Sequence, residues 1–138
     1  MAKNFKQKEQ ISLEQSGKVP PQATDLEEAV LGALMLDSDA LSNSIEILRK
    51  ESFYKNEHQK VFEAIESLFN SAQPVDILTV TNQLRKSGHL EEIGGPIFVA
   101  GLTERVASAA NIETHARIIA QKYIQRELIK ISAKIMTD

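Results

Sequence analysis

Residues 111–138 read NIETHARIIAQKYIQRELIKISAKIMTD, and the apolar spacing in this stretch decides the fold. Ile112, Ala116, Ile119 and Tyr123 recur at intervals of 4, 3 and 4, the period of one helical face. Ile124, Leu128, Ile131 and Ile135 repeat the same intervals one residue later. One residue is about 100° of helical rotation, so the two stripes face different directions. Asn111 is a candidate cap, and the spacing predicts one helix from Ile112 to about Thr137. At 1.5 Å per residue that helix is about 39 Å long. A domain of this size is roughly 35 Å across, so the helix spans the body or protrudes from it. The first stripe faces the body. The second, widened by Ile129, either curves into the core or meets a partner. Lys122, Arg126, Lys130 and Lys134 recur every four positions and read as a solvated stripe able to pair with an acidic partner.

Upstream the pattern stays helical. Thr24-Asp25-Leu26-Glu27 reads as a capping box, followed by a stripe of Leu26, Val30, Leu31 and Leu34. Asp37-Ser38-Asp39 stops that helix and can cap another carrying Leu41, Ile45 and Leu48. After a connector that packs Phe53 and Tyr54 inward, Val61, Phe62, Ile65, Leu68 and Phe69 mark a further helix, broken at Pro74. Ile77–Thr81 is β-branched enough for a strand, but the Asp76 cap, the 77-80-84 period and Gly88 as a left-handed terminator favour helix. Pro96 suits the first position of a helix that continues from Ile97 to Val106. Three successive apolar residues, Ile97-Phe98-Val99, span too wide an arc for one buried face, so one of them can point outward. The expected class is all-α: a small multi-helix bundle over residues 20–110, then a long C-terminal helix over 111–138. Residues 1–19 lack any apolar period and read as a disordered polar tail.

Composition limits the chemistry. The chain of 138 residues fits one domain; with 42% hydrophobic residues but only 5% aromatics its core must be mostly aliphatic. Cysteine is absent, which removes disulfides, thiolate metal sites and cysteine nucleophiles and suits a reducing cytosol. No apolar run is long enough to span a membrane, and the charged N-terminus lacks a signal-peptide core. Residues 25–104 carry six basic and fourteen acidic residues, a net of −8, against +3 for residues 105–138. An acidic body is poor at holding DNA by its phosphates.

Catalytic patterns are weak. His58, His89 and His115 have no metal-binding spacing, and His58 reads as a packed or capping histidine. Glu27-Glu28 and Glu91-Glu92 read as solvated helix faces. Gly17-Lys18 lacks the second glycine and the Ser/Thr of a phosphate loop, and no strand precedes Gly94-Gly95. No catalytic, cofactor or metal residue is therefore expected.

An ordered series of short motifs carries a resemblance. Pro20-Pro21-Gln22, Glu27/Glu28-Ala29-Val30-Leu31-Gly32-Ala33, Phe53-Tyr54 and His58-Gln59-Lys60-Val61-Phe62 come first. Pro74-Val75-Asp76 with Thr79-Val80, Gly88-His89-Leu90-Glu91-Glu92-Ile93-Gly94-Gly95, and Ala109-Ala110-Asn111-Ile112 with His115-Ala116-Arg117-Ile118-Ile119 follow. Together, over residues 20–138, they resemble the start of DnaB-type replicative DNA helicases. The resemblance implies a helical bundle followed by a helical hairpin, of which residues 111–138 would be the first arm. It implies a collar on a hexameric ring that pairs with itself and docks the C-terminal domain of primase. ATP, Mg²⁺ and DNA translocation belong to a RecA-like domain that would follow the collar, so this chain is expected to be non-catalytic and to meet DNA only through that domain. Candidate partner-interface residues are Phe98, Ile129 and Ile135, with Ile124, Leu128 and Ile131. Two alternatives stand beside this reading. One is the helicase-binding domain of a primase, a similar bundle, disfavoured by the Met-initiated tail ahead of it. The other is an independent DNA-binding helical domain, disfavoured by the acidic body.

Overall fold

The computed structural model describes residues 19–106 and 111–137. Those residues form six α-helices: α1 Thr24–Leu36, α2 Ser38–Ser44, α3 Asn56–Asn70, α4 Ile77–Ser87, α5 Gly95–Thr103 and α6 Ile112–Thr137. A 3-10 turn, Lys50–Ser52, lies between α2 and α3. No strand occurs among the described residues, and the class is all-α as expected. The expected tail and the Gly17-Lys18 pair lie outside the described residues, apart from Val19, which is exposed.

Helix α1 is the axis of the bundle. Val30, Leu31, Ala33, Leu34 and Met35 bury almost its entire circumference. Such a helix needs neighbours on every side, and α1 packs against α2, α3, α5 and α6. At Gly32 an added Cβ would lie 2.1 Å from the carbonyl oxygen of Leu102, so α1 meets α5 backbone to backbone. Helix α3 buries Val61, Phe62, Ile65 and Leu68, and Phe62 meets Phe53 with ring centroids 5.1 Å apart. Helix α4 joins α3 and α5 through Val80 and Leu84.

Helix boundaries follow the side chains that satisfy free amides. Asp37 Oδ1 accepts the Asp39 and Ala40 N–H groups and starts α2. Asp76 and Thr79 form a reciprocal capping box at α4. Gly88, at φ 80°, closes α4 in the left-handed conformation.

Three boundaries differ from expectation. Helix α2 ends at Ser44, so Ile45 and Leu48 are buried from the segment after it and not from the helix itself. Thr24-to-Glu27 is not a capping box: α1 starts at Thr24 with Ala23 as its N-cap and no side-chain cap bond. Glu27 lies one turn before Leu31 on the buried stripe, so its carboxylate enters the core instead of reaching back to the helix end. Helix α5 ends at Thr103, not Val106.

Candidate interaction surface

Helix α6 carries the two stripes on different faces. Ile112, Ala116 and Ile119 are buried against α1 and α2. Ile124, Leu128, Ile131 and Ile135 are exposed by 56%, 58%, 54% and 72%, and Met136 adds to the patch. Ile129 is half-buried on the same helix. The second stripe therefore does not curve into the core. Every residue from Ile131 to Thr137 is exposed, so the end of α6 stands clear of the bundle.

In the Ile97-Phe98-Val99 run the outward residue is Ile97, 82% exposed, while Val99 is fully buried. Phe98 is half-buried against the core, its ring 6.3 Å from the His58 imidazole. Ile97, Phe98, Glu28, Gly101, Leu102, Glu104 and Arg105 line an open groove of about 240 Å³. That is below the range of a small-molecule pocket. Phe98 is thus separated in the fold from the α6 candidates, which share one helix.

Beneath Phe98 is a polar pair that the solvated-face reading of Glu27 missed. Glu27 and His58 are each 1% exposed, with Oε1 to Nδ1 at 2.7 Å. The other Glu27 oxygen accepts the Tyr54 N–H at 2.9 Å. A carboxylate here accepts both bonds and fixes the imidazole proton on Nδ1. The pair joins α1, the connector and α3. His58 is packed, as expected; Glu27 is the correction. Its neighbour Glu28 is partly exposed and faces Arg105 at 3.8 Å.

Arg126 is also not part of a solvated stripe. Its Nη1 donates to the Pro21 carbonyl and its Nη2 to the Ser52 carbonyl, each at 2.9 Å. The guanidinium lies 5.5 Å from the Tyr54 ring centre and 5.8 Å from that of Tyr123. Burial lowers its pKa below the usual arginine value, while Glu27, Tyr54, Glu127 and Tyr123 pull it back up. It remains a cation at any working pH. The signal was present in the sequence: 112-116-119-123 continues by three residues to 126, so Arg126 prolongs the body-facing stripe. Lys130 pairs with Glu127 at 3.2 Å on the same helix.

Among the described residues, the Gly94-Gly95 turn offers no phosphate cradle. The Gly94 and Gly95 amides, which open α5, already donate to the Glu91 and Leu90 carbonyls. No group of three or more histidine, aspartate or glutamate side chains converges on a metal position among the described residues. No helix among the described residues is long and apolar enough to cross a membrane.

Comparison with known proteins matches residues 19–121 to the DnaB-like helicase N terminal domain family. The chain is 52% identical over 113 residues to the replicative DNA helicase DnaB of Rhodothermus marinus, covering 82% of this chain and 12% of that protein. It is 44% identical over 123 residues to the DnaB of Geobacillus stearothermophilus, covering 89% of this chain and 27% of that protein. The crystal structure of the N-terminal domain of DnaB helicase from Mycobacterium tuberculosis superimposes with a TM-score of 0.83 at 35% identity, over 86% of this chain and 85% of that one.

Proposed function

The chain belongs to the DnaB-like helicase N terminal domain family, and from that premise we propose that it acts as the non-catalytic collar portion of a replicative DNA helicase, pairing with other copies in a hexamer and docking the C-terminal domain of primase during DNA replication in the cytoplasm. ATP, Mg²⁺ and the grip on DNA belong, on this reading, to a RecA-like domain of the whole protein. An ATPase assay on this chain is expected to read no turnover.

The exposed stripe of Ile124, Leu128, Ile131 and Ile135 supports the reading most directly, since contiguous apolar surface on a well-formed helix marks an interaction site. Interfaces concentrate their energy in a few anchors, and truncating one costs about 2 kcal/mol or more, over tenfold in Kd. Titration of this chain with a primase C-terminal domain tests it. Ile135→Ala and Ile129→Ala are expected to weaken binding with little change in Tm, because Ile135 has almost no packing to lose. Wild-type affinity in both variants would move the docking face elsewhere. Unfolding by Ile129→Ala would make Ile129 a core residue and leave the decision to Ile135→Ala.

A further inference from the structure

The attachment of α6 to the bundle is mechanically uneven. Its fully buried anchors, Ile112 to Ile119, form a base of about 10.5 Å, while the 18 residues beyond extend about 27 Å. A short base holding a long lever leaves the direction of the lever weakly defined. Seven residues past Ile119, Arg126 adds a second point of attachment and doubles the base to about 21 Å. Its two acceptors, Pro21 O and Ser52 O, sit on separate segments, one entering α1 and one ending the 3-10 turn. The Tyr54 ring completes this platform, and Tyr54 is itself held through its N–H by buried Glu27.

We propose that Arg126 is a positioning residue, a releasable clasp whose planar fork on Pro21 O and Ser52 O sets the direction in which the distal half of α6 leaves the bundle. The fork matters because two parallel N–H donors define an orientation as well as a distance. The clasp is releasable because its parts tolerate water. Arg126 and Pro21 are only half-buried, so the guanidinium and the Pro21 carbonyl can be hydrated once freed; Ser52 is 2% exposed, and water reaches its carbonyl only where the guanidinium withdraws. Opening it strands no buried charge, whereas opening the Glu27–His58 pair would. Helix α6 can therefore swing on its Ile112–Ile119 base while the bundle stays folded.

The chain contains no cysteine, so pairs of introduced cysteines can be spin-labelled cleanly. One pair, Lys86→Cys with Thr137→Cys, joins the exposed surface of α4 to the tip of α6. A control pair, Lys86→Cys with Ser42→Cys, lies within the bundle. Distance distributions by pulsed electron paramagnetic resonance should show one narrow peak for each pair with Arg126 present. Arg126→Ala and Arg126→Lys should both abolish the narrow peak of the first pair, leave the control unchanged and preserve the helical circular dichroism. Lysine keeps the charge and the stem over the tyrosines but cannot bridge both carbonyls as a fork, so it decides the matter if alanine unfolds the bundle. A narrow first-pair peak in the lysine variant would overturn the proposal. So would equal broadening of the control pair, which would make Arg126 a support of the whole fold.

Discussion

Ala72 holds a left-handed backbone at φ 56°, among the described residues the one non-glycine with positive φ. It closes α3 as Gly88 closes α4: Gln73 N–H returns to Leu68 O, just as His89 N–H returns to Leu84 O. A side chain in that conformation is strained by roughly 1–2 kcal/mol, partly offset by the freedom glycine gains when unfolded. Ala72→Gly should therefore raise stability by roughly 0.5–1 kcal/mol in urea titration; a loss would show that the turn is not strained. Glu27 is the opposite case. Glu27→Ala leaves His58 and the Tyr54 N–H without their partner in a dry site, and stability should fall by about 3 kcal/mol. In the His58→Ala background the same change should cost much less; equal cost would mean that the two side chains do not act as a unit. The sequence carried half of this site. Glu27 stands on the stripe with Leu31 and Leu34, so its burial follows from period. Its partner is 31 residues away, and no local pattern announces such a contact.

Helix ends show where local chemistry prevails and where packing overrides it. Asp37, Asp76 and Gly88 are used as their residue types suggest, because each lies at a boundary with no competing demand from the core. Thr24 and Glu27 have equally suitable chemistry, yet the core claims the Glu27 carboxylate. Helix α6 was legible almost to the residue, since a 26-residue period leaves little room for error. Its two faces also follow from spacing, whereas the Arg126 fork depends on carbonyls from remote segments. That fork shifts one expected outcome. Spacing alone places the weakening of α6 near Gln125, after the first stripe. With Arg126 clasped and Lys130 half-buried, amide exchange should stay slow through about Lys130 and rise from Ile131 onward. Uniform protection to Thr137 would mean that the exposed stripe is covered by a second copy, which sedimentation would reveal.

Across the whole molecule, the all-α class and family membership were legible because both rest on order along the chain: periods, caps and a series of short motifs. Which surfaces remain open was less so. Ile97 rather than Phe98 faces outward, because Phe98 sits over His58, a neighbour set by the packing of α5 near the buried pair. The acidic sum over residues 25–104 likewise says nothing of Glu27, whose charge lies inside.

The Arg126 contacts also bear on the order of folding events. They join residues 105 and 74 positions apart, among the most distant pairings in the chain. Closing such long loops is entropically costly and tends to come late, after α1 has gathered its nearer neighbours. An interaction absent from the transition state acts on the unfolding rate and leaves the refolding rate almost untouched. In stopped-flow chevrons Arg126→Ala should steepen neither limb, raise the unfolding limb and leave the refolding limb in place. A slower refolding limb would put the clasp in the folding nucleus, and α6 would then dock before the bundle is complete.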